Sequence, residues 1–423
     1  MRLFHGGIKL TEGNELKERA AEEHIHTLAA STLYLPLFVQ KRSLCACVAA
    51  GDRVDIGTRV AEDPSGFLPP VHSGVSGTVR AIDTFHPCAE GGEVPTVVID
   101  NDGQGRACLL PPLAETAAPD AIVERMYEAG LVGMGGAGYP THRKYRDLTA
   151  EWLLINACEC EPYLAADASL SRHFLTLIVE GVHRMATAAR VAPAHIRLCT
   201  ESAQTAAALK QSGLSVVTLT KRYPQGSERQ LVEAVLDKRL PDGVLPTQAG
   251  VVVSNVGTAA AMGDAARGLA LTHRIVTVSG YVKQPRNLLV PIGTPFADIA
   301  AAVQPKTADR RVRYIAGGPM TGRRLTTLKA GLPKTCGGLT LLPSHSFSAT
   351  PCIRCGACVR ACPSSLLPFL IEQAVLQGEK ERYRPLRTTA CLSCGCCSFV
   401  CPAKRPLAAR ITAAKRELKE GIQ

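Results

Sequence analysis

The spacing of apolar residues changes character three times along the chain. Residues 48–62 (VAAGDRVDIGTRVAE) and 71–83 (VHSGVSGTVRAID) run in short alternating stretches punctuated by glycine. Each predicts a pair of short strands, and together they predict a small β barrel or sandwich over residues 1–110. From residue 119 the period lengthens. PDAIVERMYEAG (119–130) is an amphipathic helix closing on a glycine, and 173–190 and 228–237 read as further helices. WLLINA (152–157) and VVVSNV (251–256) are unbroken apolar runs of buried-strand length. Strand alternating with helix predicts a mostly parallel α/β sheet over 111–270. Residues 274–282, 288–299 and 314–322 turn β-rich again, giving a third domain at 271–345. The last, 346–423, ends in a basic helix (404–421) with Leu407, Ile411, Ala414 and Leu418 on one side. The expected fold class is therefore multidomain α/β.

Composition sharpens this picture at one point. Of 17 cysteines, nine fall between Cys352 and Cys401. A disulfide scaffold would be short and evenly stapled, so a reducing compartment and a metal centre are expected. The opening MRLFHGGIKLTEGN lacks the form of a signal peptide, and no apolar run reaches the length of a membrane span. The net charge is +11, and residues 351–423 carry 12 Lys+Arg against 5 Asp+Glu. A basic end of this kind attracts nucleic acid, anionic lipid or an acidic protein. Aromatics at 4% are sparse for a base-stacking surface, and the tail helix reads as a packing element, so no nucleic acid is expected.

The cysteines form an internal repeat. Cys352-x2-Cys355-x2-Cys358-x3-Cys362-Pro363 recurs as Cys391-x2-Cys394-x2-Cys397-x3-Cys401-Pro402. This is the two-cluster bacterial ferredoxin spacing, in which the fourth cysteine of each run ligates the other cluster. Cys352, Cys355, Cys358 and Cys401 are thus assigned to one [4Fe–4S] cluster, and Cys362, Cys391, Cys394 and Cys397 to the second. Structural zinc sites use CxxC pairs and do not produce this repeat. Cys396 has no place in the pattern and reads as a packed thiol. Each oxidised cubane with four thiolates carries about −2, which offsets part of the basic excess.

Two further stretches carry chemistry. In LVGMGGAGYPTHRK (131–144), Gly133, Gly135, Gly136 and Gly138 expose backbone N–H groups and Lys144 follows at the start of a helix. Such a loop cradles a phosphate or lies against a ring system, although a plain tight turn has the same composition. The strand 152–157 then runs into Cys158-Glu159-Cys160-Glu161-Pro162. Asn156, Glu159 and Glu161 sit where α/β sheets place ligands, or they cap the next helix. Cys158 and Cys160 read as packing residues.

GMGGAGYPTHRK, NACECEPYLAAD, YPQGSERQL (223–231) and VVVSNVGTAAAM (251–262) occur in that order. They resemble the flavin- and NADH-binding subunit of respiratory NADH dehydrogenase, and more closely the RnfC family of Rnf electron-transport complexes. The opening HGGIK, VSGYVKQPRNLLVPIGTP, GGPMTG and the twin cysteine motif extend the resemblance over nearly the whole chain. The barrel resembles lipoyl and biotinyl carriers, but DPSGFLPP (63–70) has no carrier lysine. The third domain resembles the soluble-ligand-binding β-grasp.

The resemblance implies noncovalent FMN, with its phosphate on Gly133, Gly135, Gly136 and Gly138, helped by Lys144, Asn255 and Thr258. It implies a ring near Asn156, Glu159 and Tyr223. NAD(H) would stack over the flavin with Tyr139 beside it and Glu161 and Glu228 holding the nucleotide. The family pattern has Asp and Arg at Ala168 and Ser169, Gly at Ser227, Ala at Cys158, and Gln-His-x-Gly at Gln40-Lys41-Arg42-Ser43. These departures bear on nucleotide affinity and on docking to other subunits.

The implied function is a peripheral subunit of a membrane-bound ferredoxin:NAD oxidoreductase, an NAD(H)-linked translocase component on the cytoplasmic face of the cell inner membrane. FMN exchanges hydride with NAD(H), two [4Fe–4S] clusters pass single electrons onward, and the complex couples this to ion transport. Its expected partners are the other membrane and iron–sulfur subunits, with ferredoxin or another acidic carrier. Two alternatives stand: a soluble relative feeding a cobalamin or proline reductase, or a relay and docking subunit with a silent flavin domain.

Overall fold

A computed structural model describes residues 4–306, 311–344 and 348–420. The expected boundary at 345–346 and the extreme chain ends lie outside the described residues.

The alternating segments form a barrel-like sandwich. An antiparallel four-stranded sheet runs Thr32–Pro36, Glu93–Asn101, Gly77–Pro87, Arg53–Val54. It faces a three-stranded sheet of Cys45–Ala46, Arg59–Glu62 and Val71–His72. Alternation places Leu33 and Leu35 in the core. Where a carrier would hold its lysine, the Asp63 carboxylate accepts the N–H groups of Ser65 and Leu68, both at 2.9 Å, and closes the turn.

The first residues leave this barrel. The Gly7 N–H donates to the Ala361 carbonyl at 3.0 Å, and Ile8 pairs with Tyr223. Helix Asn14–Glu22 then packs on helix Ala166–His173, and His26–Thr27 adds a parallel edge strand beside Leu288–Leu289. The expected 1–110 unit thus contains an N-terminal arm that crosses the other three domains. A nine-residue helix and a two-residue strand carry too little periodicity to reveal it.

The second domain is the expected parallel sheet, ordered Val216–Thr218, Ile196–Thr200, Trp152–Asn156, Val251–Asn255. Leu153, Leu154 and Ile155 are fully buried, as a strand covered on both faces requires. Its apolar core is continuous with that of the barrel, from Leu33 and Ile99 through Ile122 and Met126 to Met262. The third domain is a mixed six-stranded sheet with helix Phe296–Ala301 packed on it. That helix lies inside a stretch whose composition predicts strand; it buries Phe296.

The last domain repeats itself in backbone as well as in sequence. Arg354 and Ser393 both lie two residues beyond the first cysteine of their run with φ +55°. Gly356 and Gly395 follow in the same left-handed region, and short helices Ala357–Arg360 and Cys396–Phe399 come next. Between the runs lie helices Pro368–Leu376 and Lys380–Tyr383, as the 28-residue spacer suggests. The tail helix Leu407–Glu420 buries the four residues expected, Leu407, Ile411, Ala414 and Leu418. No helix among the described residues is long and apolar enough to cross a membrane.

Candidate functional site

A cavity of about 460 Å³ opens at the carboxyl ends of the parallel strands. Its size suits a cofactor or small ligand. Its wall combines Gly135, Gly136, Asn156, Glu159, Tyr223 and Asn255 from the flavin-type domain with residues of every other domain. Glu90 comes from the barrel, Arg274 and Thr335 from the third domain, and Cys394 from the cysteine module.

The glycine loop is built in two layers. The Gly133 N–H donates to the Tyr139 carbonyl at 2.8 Å, and the Gly138 N–H returns to Gly133 at 3.2 Å, so these two residues close the loop. The N–H groups of Gly135 and Gly136 at its tip meet no protein acceptor among the described residues. Gly136 has φ +110°, and a Cβ there would stand in open space. Below the tip, helix Val256–Ala266 begins with Asn255 capping Gly257 at 2.8 Å and Thr258 Oγ1 accepting the Met134 N–H at 2.9 Å. Free N–H groups above a helix N-terminus form an anion cradle, which fits the phosphate of FMN.

The strand-end residues are held by one another. Asn156 donates to the Gly226 carbonyl at 2.8 Å and accepts the Cys158 N–H at 2.9 Å. The Asp167 and Ala168 N–H groups donate to Glu159 at 3.2 and 3.3 Å. Burial and the neighbouring Asp167 carboxylate push the Glu159 carboxyl up to about 7. Asn255 donates to Asp167 at 2.7 Å, and burial raises that carboxyl as well. Lys17 of the arm donates to the Glu159 and Glu161 carbonyls. Cys158 is buried with its thiol toward the Cys199 carbonyl.

Several predicted residues have other partners. Glu161 lines the cavity, but its carboxylate accepts the Met320 and Thr321 N–H groups and the Thr321 hydroxyl. It anchors the GGPMTG loop. Lys144 and Glu228, expected at phosphate and nucleotide, form an ion pair with each other at 2.6 Å and are absent from the cavity wall. Tyr139 faces the barrel, edge-on to Phe67 at 6.4 Å, and is 48% exposed. The departures also have local reasons. Ser169 is buried and accepts from Asn287 at 2.7 Å, while Gln40 donates to the Gly138 carbonyl at 2.8 Å. Arg274 enters the wall without any sequence motif to announce it, and Asp167, which closes the NACECEPYLAAD motif, enters it without having been assigned a role.

The cysteines gather as the cross-ligated assignment requires. Cys352, Cys355, Cys358 and Cys401 line one cavity together. Cys362, Cys391, Cys394 and Cys397 are electrostatic neighbours: burial raises the Cys397 thiol, and the charges of Cys394, Cys391 and Cys362 raise it further. Such crowding of thiolates suits a group that brings positive iron. Backbone N–H groups of Ser393 and Leu366 already point at the Cys391 and Cys362 sulfurs, at 3.3 and 3.4 Å. Among the described residues no three His, Cys, Asp or Glu side chains converge as for a single ion. The first set rings a space instead, as four separate irons demand. Cys396 is fully buried, a packed thiol as expected.

Three family models match: the RnfC barrel sandwich hybrid domain over residues 2–104, the Nuo51 FMN-binding domain over 126–264, and the 4Fe-4S dicluster domain over 351–404. A flavin fold sharing a cavity wall with a dicluster module defines the class, an iron–sulfur flavoprotein. The C subunit of the Na(+)-translocating ferredoxin:NAD(+) oxidoreductase complex of Acetobacterium woodii is 38% identical over 390 residues, 88% of this chain and 87% of that protein. The C subunit of the ion-translocating oxidoreductase complex of Pseudomonas aeruginosa is 35% identical over 403 residues, covering 90% of this chain and 51% of that one. The chain belongs to the RnfC family, and it spans about half the length of the Pseudomonas relative. The crystal structure of an NAD+-reducing [NiFe]-hydrogenase in the air-oxidized state shares the fold, with TM-score 0.51 and 20% identity over 71% of this chain and 66% of that one.

Proposed function

We propose that the chain is the NAD(H)-handling subunit of a ferredoxin:NAD oxidoreductase complex, attached peripherally on the cytoplasmic face of the membrane and serving ion translocation by its partner subunits. The relatives named above as members of such complexes support membership of an assembly of this kind. The observation that carries the reading is Cys394: a ligand of the second cluster stands in the wall of the flavin cavity.

When bound, FMN exchanges a hydride with NAD(H) and releases electrons singly to the clusters. The chain's residues supply the rest. The Gly135 and Gly136 N–H groups and the start of helix Val256–Ala266 hold the phosphate. Asn156, fixed at both ends of its amide, and Glu159 line the cavity at the strand end, where they would bound the flavin. Tyr223 bridges cavity and cluster, its hydroxyl donating to the Cys394 carbonyl at 2.7 Å. Cys362, Cys391, Cys394 and Cys397 would hold the cluster beside the flavin cavity, and Cys352, Cys355, Cys358 and Cys401 the one farther from it, so the first set would supply the first electron acceptor and the second set the next. Exposed Cys352 and Cys355, with exposed Arg354 and Arg360 beside them, make the second stop a port for an acidic carrier such as ferredoxin, or for another iron–sulfur protein of the complex.

Anaerobic purification of the chain tests this. About eight irons and one FMN per chain, with NADH bleaching the flavin and raising cluster EPR signals, is the expected result. Eight irons without flavin, or flavin that NADH leaves oxidised, would reduce the chain to a relay.

A further inference from the structure

Arg274 is the second residue of strand His273–Gly280 in the third domain, yet its side chain enters the flavin cavity wall. It is 6% exposed. One terminal nitrogen donates to the Met134 carbonyl of the glycine loop at 2.7 Å, and the other donates to the Lys334 carbonyl. Its Nε has no partner among the described residues. A Cβ on Gly337 would lie 2.9 Å from the guanidinium, so the β-grasp leaves room for it. The ionisable wall residues of opposite sign are Glu90, Glu159, Glu161 and Asp167, and the other guanidinium, Arg323, sits on an exposed edge strand.

Hydride transfer from NADH to an oxidised flavin adds two electrons and one proton, and NADH leaves as NAD+. The bound group thus gains one negative charge. In a cavity whose wall carries the acidic side chains of Glu90, Glu159, Glu161 and Asp167 that gain is costly, and a nearby buried cation offsets it. Arg274 is the buried guanidinium in this wall. We propose that Arg274 is a positioning residue that sets the reduction potential of the bound flavin, stabilising the reduced, more negative form through its charge while tying down the glycine loop. This rests on the reading that the cavity holds FMN.

The test compares affinities of the full-length chain for oxidised and reduced FMN, together with the flavin potential from anaerobic dye-equilibrated titration, in the native chain, Arg274→Gln and Arg274→Lys. In Arg274→Gln the affinity for reduced FMN should fall at least tenfold more than that for oxidised FMN. For a two-electron couple that lowers the potential by about 30 mV. Arg274→Lys keeps the charge and should hold the affinity ratio within about threefold of native. Equal losses for both forms in the glutamine variant would mean a tether only and would overturn the proposal. If the glutamine variant does not fold, a folded lysine variant with a ratio shifted more than tenfold overturns it, and a native-like ratio supports it. A native chain that binds no FMN would instead refute the flavin reading itself.

Discussion

The two cysteine runs share spacing, left-handed positions and short helices, yet their surroundings differ sharply. The cavity of Cys352, Cys355, Cys358 and Cys401 lies at the surface, with Ile353 68% exposed and Arg354 and Arg360 beside it. The second set is covered by the N-terminal arm, Tyr223 and Met320, and shares a wall with the flavin cavity. Local sequence decides which sulfurs hold a cluster; distant segments decide what that cluster can reach. On the proposed reading, one is an inner relay and the other an outer port.

The strongest way to break this ordering is to remove the clusters singly. Cys391→Ala should leave NADH-driven flavin bleaching intact while slowing reduction of the remaining cluster by at least 100-fold. Cys355→Ala should leave both flavin and inner-cluster reduction fast. Stopped-flow absorbance with freeze-quench EPR reads both. Outer-cluster reduction that survives Cys391→Ala would sink the ordering.

Next in size is the arm. Gly6 has φ +72°, and a Cβ there would lie 2.5 Å from the Cys362 carbonyl oxygen. Gly6→Ala should cost ~2 kcal/mol, combining left-handed strain with overpacking. The loss should appear in thermal unfolding and in iron released preferentially from the inner cluster. The outer cluster's EPR signal should be unchanged.

These contrasts mark what the sequence could and could not reveal. The grouping of the cysteines was legible because their spacing is local, and so was the parallel sheet, whose buried strands are unbroken apolar runs. The glycine content of the loop was legible, and the structure leaves the N–H groups of the tip glycines 135 and 136 free of protein acceptors among the described residues. The separate duties of Gly133 and Gly138 were not legible, because they depend on which way each N–H points. The hold of Glu161 on the GGPMTG loop was not legible, because its partners lie some 160 residues away, at Met320 and Thr321. Lys144 and Glu228 each looked ready for a ligand, and the fold gives them to one another. Arg274 left no trace, since a single arginine before an apolar run looks like any strand start, and the arm showed only its HGGIK motif, with nothing to say where it runs.

The outer port offers a smaller, electrostatic contrast. Arg354→Gln should slow electron transfer to an acidic one-electron carrier by about threefold at low salt. The difference should vanish near 0.5 M salt, where the Debye length falls to a few ångströms. NADH reduction of the flavin, whose cavity lies beyond the port, should show no such change. Equal salt sensitivity of both steps would place carrier docking elsewhere.

The smallest effect tests the bridge between the two regions. Tyr223→Phe keeps the ring, which is 3% exposed, and removes only the hydroxyl that donates to the Cys394 carbonyl. Losing one such bond and leaving a buried carbonyl unpaired costs ~1 kcal/mol. Because that carbonyl belongs to an inner-cluster ligand on the cavity wall, the change should fall on one side of the molecule. Flavin-to-inner-cluster transfer should slow by about twofold to fivefold, with a small change in the inner cluster's EPR line shape. Inner-to-outer transfer should keep its rate, since no residue of the outer set touches Tyr223. A slowdown of both steps by the same factor would mean that the hydroxyl supports the module as a whole, and that the inner cluster owes its position to the arm alone.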